Sequence, residues 1–251
     1  MAATLGVKLA RIAIVVAVFA LWEILSRTGI VNPRLLPSAS DTLATLWELL
    51  QRAGVRNDLA VTASEVLIAF VLAVPCGVLV GFLIAENRYF AEVAKPLLFF
   101  AFSIPKSIFL PMFILTLGIG FWQKVGFGCF STTLLVLLST QAAVRSVRPD
   151  HLLVARSYGA TPTQIVLRVY LPSMLPIILE ALRLALIFTF TAVTLAEMYA
   201  SSTGVGHEIE TWGENFMMPQ LLAGVLLMSC AAISLNEAIR WVEQRCGVWR
   251  T

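Results

Sequence analysis

The sequence predicts an all-α integral membrane protein of about six transmembrane helices, and three observations carry that expectation. Only 13% of its 251 residues are charged, whereas a water-soluble domain carries about a quarter. Hydrophobic residues make up 59%, and the mean hydropathy is +0.86. Six apolar runs reach or approach the roughly 20 residues that a helix needs to cross the hydrocarbon core. The chain is long enough for one soluble domain but lacks the polar surface for it.

The first run covers about residues 9–25, beside Lys8 and Arg11. A basic start also suits a signal peptide, but Trp22-Glu23-Ile24-Leu25 is no small-residue cleavage site. It is read as a retained helix. The next runs cover about residues 59–85, 96–117, 121–140, 174–196 and 221–235. Between the first two, Pro37-Ser38-Ala39-Ser40-Asp41 resembles a capping box. Leu43, Leu46, Trp47 and Leu50 follow at helical spacing, which predicts a short amphipathic helix at the membrane surface. Gly77 and Gly81, four apart in the second run, offer a small face for close helix packing.

Lys and Arg resist translocation, so their distribution sets orientation. With the amino terminus inside, the inner segments hold Lys8, Arg11, Arg88, Lys95, Arg145, Arg148, Arg156, Arg168, Arg240, Arg245 and Arg250. The outer side holds Arg27, Arg34, Arg52, Arg56 and Lys124, and Lys106 and Arg183 fall inside runs. Both termini are therefore expected in the cytoplasm. The segment 197–220 contains Glu197, Glu208, Glu210 and Glu214 but no Lys or Arg, and Glu65 and Glu197 are expected near outer, solvated span ends.

Other function classes find little material. The net charge of +3 is spread out, with no basic, aromatic-interleaved face for nucleic acid. Cys76, Cys129, Cys230 and Cys246 show no metal-ligand spacing, and only His151 and His207 exist. No metal site, catalytic nucleophile–base pair or nucleotide-binding GxxxxGK[ST] loop is found. Lys106 lies between Pro105 and Pro111, whose rings break the helical hydrogen-bond ladder. It either contacts an anion in a pathway, or caps freed carbonyls or pairs with a glutamate.

Residues 1–251 are expected to form a single transmembrane domain, with residues 141–173 a cytoplasmic loop within it. In this loop Leu152, Leu153 and Ala155 give a first helix an apolar side, and Gly159 can end it in the left-handed conformation. Thr161-Pro162 restarts a helix, Ile165, Val166 and Val169 extend its apolar face, and Leu171-Pro172 is expected to stop it. Such a hairpin is either a docking knob for another protein or a plain connection.

The run Leu153-Val154-Ala155-Arg156-Ser157-Tyr158-Gly159, with Val169-Tyr170-Leu171-Pro172, resembles the EAA loop of permease subunits in binding-protein-dependent ATP-binding cassette importers. The spacing from Gly159 to Leu171-Pro172 and the second alanine, Ala155, fit that signature, while Leu153 and Val154 replace its glutamate and first alanine. Ile104-Pro105-Lys106, Leu110-Pro111, Leu117-Gly118-Ile119-Gly120, Ala181-Leu182-Arg183-Leu184-Ala185-Leu186 and Gly204-Val205-Gly206 look like the branch handling sulfonates, taurine and nitrate. Glu65 stands where that branch commonly has an arginine.

The resemblance implies a type I importer permease in a bacterial-type inner membrane, forming the pathway for a small, anionic solute. Its partners would be a cytoplasmic cassette ATPase dimer, a second permease (a copy or a different chain), an extracytoplasmic solute-binding protein and the lipid bilayer. ATP and Mg would sit on the ATPase, with no cofactor on this non-enzymatic chain. Leu153, Val154, Ala155, Ser157, Tyr158, Gly159, Ala160, Thr161, Leu171 and Pro172 would make the ATPase-coupling loop, with Lys106 a possible pathway residue. The alternative is a secondary carrier or channel not coupled to ATP. The absence of an evident internal repeat weighs against a carrier built from repeats.

Overall fold

The apolar runs become helices in a computed structural model that describes the backbone of residues 2–32 and 34–246 and the side chains of residues 6–7, 10–32 and 34–241. No strand occurs among the described residues. Helix α1 (Ala2–Arg27) covers the first run and α2 (Ala39–Gln51) the amphipathic one. They are followed by α3 (Ala53–Glu86), α4 (Arg88–Ser103), α5 (Leu110–Leu117) and α6 (Phe121–Arg145). After α7 (Pro149–Ser157) and α8 (Pro162–Ile165) come α9 (Leu171–Tyr199), α10 (Val205–Glu214) and α11 (Met218–Cys246).

Four continuous helical stretches, Ala53–Glu86, Phe121–Arg145, Pro162–Tyr199 and Met218–Trp241, are long and apolar enough to cross a membrane. A bent pair, Arg88–Ser103 with Lys106–Leu117 at 81°, has the same length and apolar character taken together, as a broken span or a re-entrant loop. The bend has a local cause. Ile104 precedes Pro105, whose ring disfavours the helical region for its neighbour, and Ile104 is extended at φ −70°, ψ 128°. Helix α1, at 26 residues, also has the length of a span. Its Ile12, Val15, Val16 and Val18 point outward, as do Leu67, Val71, Leu79 and Leu83 of α3. Apolar side chains facing out and helical backbone bonded within itself are what a hydrocarbon solvent demands.

The centre is built from α3, α6 and α9. Gly77 and Gly81 let two backbones meet: a Cβ on Gly77 would lie 2.7 Å from Val136 Cβ, and one on Gly81 2.8 Å from the Leu137 carbonyl oxygen. That close contact is the use expected of small residues in membrane interfaces. Thr132 and Thr189 add a buried hydroxyl–hydroxyl bond of 2.8 Å between α6 and α9.

Ser38 caps α2 as its sequence predicts, accepting from the Asp41 amide at 3.1 Å. Leu49 is fully buried with Val55, Val205, Ile209, Trp212 and Leu227, while Leu43 and Trp47 stay exposed. The end of α1 is tied to the same region. Trp22 donates to the Pro37 carbonyl at 2.9 Å, and Ser40 donates to Glu23 through both its amide (3.1 Å) and hydroxyl (2.9 Å).

Candidate functional site

Two constructions sit at opposite ends of α9: a helical hairpin before it and a buried polar cluster around its last turns.

The hairpin begins where α6 ends. Pro149 occupies the first turn of α7, where its missing N–H is no loss. Gly159 then adopts φ +73°, and a Cβ added there would meet no atom within 4 Å, so its backbone conformation alone favours glycine. The Ala160 amide donates to the Ala155 carbonyl at 3.0 Å and the Gly159 amide to the Arg156 carbonyl at 2.9 Å, the paired bonds of a Schellman termination. Thr161 starts α8 with a reciprocal cap. Its hydroxyl accepts from the Gln164 amide at 3.4 Å, and its own amide donates to Gln164 Oε1 at 2.9 Å.

The hairpin has two unlike faces. Leu152, Val169 and Tyr170 pack against a cluster of Ala143, Val144, Val147 and Met174, and Tyr170 meets Phe82 edge-on at 5.4 Å. On the other face Leu153, Val154 and Tyr158 are exposed, Tyr158 at 89%. Ser157, Gly159 and Thr161 are exposed too, whereas Ala155 and Ala160 are half-buried. Leu171 and Pro172, expected to stop the second helix, instead open α9. The intervening Val166–Tyr170 turn is a π-helix in which the Leu171 amide reaches back to the Val166 carbonyl. The wider turn carries the chain past proline's missing donor, so Pro162–Tyr199 runs as one 38-residue stretch.

The opposite end overturns three expectations. Glu65 and Glu197, expected to be solvated, are fully buried, and Lys124, counted as an outer loop cation, is 1% exposed. Lys124 Nζ lies 2.5 Å from Glu65 Oε1 and donates to Ser201 Oγ at 3.1 Å and the Thr203 carbonyl at 3.2 Å. Glu197 accepts from Thr62 Oγ1 at 2.6 Å and from the Gly206 amide at 2.8 Å. Thr62 in turn accepts from the Val205 amide at 3.0 Å, and Asp58 accepts from the Gly204 amide at 2.9 Å. Burying such charges is tolerable only when partners replace water: the Lys124 ammonium faces Glu65 Oε1 and hydrogen bonds hold Glu197, whereas Glu65 Oε2 has no hydrogen-bond partner among the described residues. Helix α10, which the acidic run 197–220 concealed, follows directly; Val205, Ile209 and Trp212 are its buried stripe.

Lys106 sits at the bend between α4 and α5. Its ammonium donates to the Phe102 carbonyl and lies 4.0 Å from the centroid of the Phe102 ring. Of the arrangements read from the sequence, this contact is carbonyl capping. Among the described residues no group of His, Cys, Asp or Glu could hold a metal ion.

Several helices long and apolar enough to cross a membrane, carrying an exposed helical hairpin at one end, fit the class of multi-pass membrane proteins. The family described as "Binding-protein-dependent transport system inner membrane component" matches residues 73–247, and the chain belongs to that family. It is a multi-pass membrane permease of an ATP-binding cassette importer. Its relatives include the taurine transport system permease protein TauC of Escherichia coli, 27% identical over 76% of this chain and 70% of that one. The formylaminopyrimidine transport permease protein ThiX of Halalkalibacterium halodurans is 26% identical over 92% and 91% of the two chains. The putative aliphatic sulfonates transport permease protein SsuC of Bacillus subtilis is 23% identical over 93% and 84%.

Solved structures agree on the fold. An inward-facing MetNI methionine ABC transporter superposes with a TM-score of 0.59 at 24% identity, over 79% of this chain and 94% of that chain. A bacterial ABC transporter importing the acidic polysaccharide alginate gives 0.66 at 12% identity, over 96% and 97%.

Proposed function

We propose that this subunit lines the pathway for a small anion such as a sulfonate, taurine or nitrate, and that the 149–170 hairpin is where a cytoplasmic ATPase dimer grips it. The carrying observation is the hairpin's two-sidedness. Its inner face is packed onto the ends of α3, α6 and α9, while Leu153, Val154 and Tyr158 form an apolar tip with nothing over it. An aromatic at the centre of such a tip is the residue type that anchors protein interfaces.

In this reading the termini are cytoplasmic, as the Lys and Arg distribution favours. ATP and Mg bind the separate ATPase, a binding protein delivers cargo at the far side, and a second permease completes the pathway. Residues 141–173 serve as the coupling loop of one transmembrane domain. Leu153, standing where the family's loop has glutamate, docks by apolar contact, whether beside a copy of this chain or a permease that keeps the acid. The ammonium of Lys106, at the helix bend, gives the pathway a cation; a charge at membrane depth commonly marks such a route.

The anionic cargo is supported by the taurine and sulfonate relatives. A neutral pyrimidine is a second reading, favoured by the long coverage of the formylaminopyrimidine permease. Titrating the cognate binding protein with taurine, alkanesulfonates, nitrate and formylaminopyrimidine separates the two. Uptake into proteoliposomes should then require ATP and that binding protein together. Uptake with an ion gradient and no ATP would overturn the importer mechanism in favour of a carrier.

A further inference from the structure

The hairpin and the buried polar cluster share one connecting element. The stretch Pro162–Tyr199 runs unbroken from the hairpin's second arm to Glu197, about 55 Å at helical rise. At one end it is fixed to the hairpin through Met174, Val169 and Tyr170. At the other, Glu197 holds the segment that leads into α10. Gly206 and Thr62 both donate to its carboxylate, and Thr62 passes the link on to the Val205 amide. A Cβ on Gly206 would lie 2.7 Å from Glu197 Cβ, and one on Gly204 would strike the carboxylate itself. The segment is therefore shaped around this side chain. Lys124 and Asp58 grip the same segment from α6 and α3, at Ser201, Thr203 and Gly204.

Nothing in the hairpin's own chemistry calls for an ion-paired, hydrogen-bonded knot at the far end of the rod. Apolar packing alone would hold α10, since Val205, Ile209 and Trp212 are already buried against α11. What the knot adds is direction: its bonds make the 201–206 segment follow α9, α3 and α6 in a fixed geometry, where apolar contacts can slide. Bonded polar groups in a dry site have one satisfied arrangement, so displacement is resisted or switched, not graded.

We propose that the Glu197–Thr62 clasp is the output end of the α9 rod, converting displacement of the hairpin into movement of the 201–206 segment and α10. Glu197 and Thr62 are positioning residues in this scheme and touch no nucleotide. The inference rests on the hairpin being the ATPase contact.

The test uses the full complex of this chain with its ATPase and binding protein in proteoliposomes. Ser202, exposed in the segment, is changed to cysteine in a chain whose four native cysteines are replaced by alanine. The readouts are phosphate release and the ATP-dependent change in labelling rate by a membrane-impermeant maleimide. Thr62→Val, which keeps shape but removes the hydroxyl, should assemble and hydrolyse ATP. Its ATP-dependent labelling change should shrink by about fivefold or more, and Thr62→Ser should restore it. Glu197→Gln, which keeps size and loses one acceptor oxygen, provides the same comparison should Thr62→Val fail to assemble.

An undiminished labelling change in the assembled variant, or no ATP-dependent change in the parent chain, would overturn the clasp. Failure of the parent chain to bind the ATPase at all would instead overturn the hairpin assignment.

Discussion

Lys124 Nζ lies 2.5 Å from Glu65 Oε1, and the two side chains are 1% and 0% exposed. The pair joins α6 to α3, and the same ammonium reaches Ser201 and the Thr203 carbonyl beyond α9. One lysine thus ties two spans to the segment that enters α10.

Removing only the cation should be costly. Lys124→Met leaves Glu65 and Glu197 buried without it and should lower stability by about 3–5 kcal/mol. The double variant Glu65→Leu with Lys124→Met should recover much of that loss, because no lone charge remains at the pair. Thermal unfolding in detergent checks both; a double variant as unstable as the sum of the two single ones would contradict the pairing.

The α3–α6 contact makes a steric prediction. At Gly81 a Cβ meets the Leu137 carbonyl oxygen at 2.8 Å and Thr140 Cβ at 2.9 Å, so neither neighbour is a flexible side-chain tip. Gly81→Val should therefore separate the helices and cost about 1–3 kcal/mol. Gly54→Val provides the control, since a Cβ there meets nothing within 4 Å. Equal melting temperatures for the two variants would contradict the close packing.

At Gly159 the expectation reverses. The site is open, so Gly159→Ala meets no atom and pays only for φ +73°, about 1 kcal/mol. Global stability should barely move, while amide hydrogen exchange should quicken at Gly159 and Ala160, whose amides close the Schellman turn. Unchanged exchange in the hairpin would show that the turn does not depend on glycine.

Much of this was legible in the chain itself. The apolar runs that became long helices follow from run length and charge deficit, which need no tertiary information; four of those helices, or five with the bent pair, are long and apolar enough to cross a membrane. The break in the third run follows from Pro105, and the hairpin from Gly159 and Thr161-Pro162, because backbone restrictions act locally. The polar cluster was not legible for the opposite reason. Glu65, Lys124 and Glu197 each lie near a span end, where solvation is the simple expectation, and only the packing of α3, α6 and α9 brings them together. Helix α10 was hidden by Glu208, Glu210 and Glu214, although Val205, Ile209 and Trp212 already had helical spacing. Pro172 misled because a missing donor reads as a stop, and the π-turn at Val166–Tyr170 carries the helix through.

Lys106 allows a test of the pathway. Lys106→Arg keeps a charge and a donor for the Phe102 carbonyl, whereas Lys106→Met keeps only bulk. Uptake of an anionic cargo should fall about tenfold or more in Lys106→Met, with ATP hydrolysis retained, and survive in Lys106→Arg. Equal uptake by all three chains would remove Lys106 from the pathway and leave it a carbonyl cap.

The grip of the ATPase on the hairpin is tested most directly by a photo-crosslinking amino acid at position 158, whose native tyrosine is 89% exposed. The account predicts a covalent adduct with the ATPase subunit in intact membranes, absent from the same probe at Tyr89, itself exposed but outside the hairpin. An adduct with the binding protein, or labelling of position 158 by an impermeant reagent from the outer side, would contradict it.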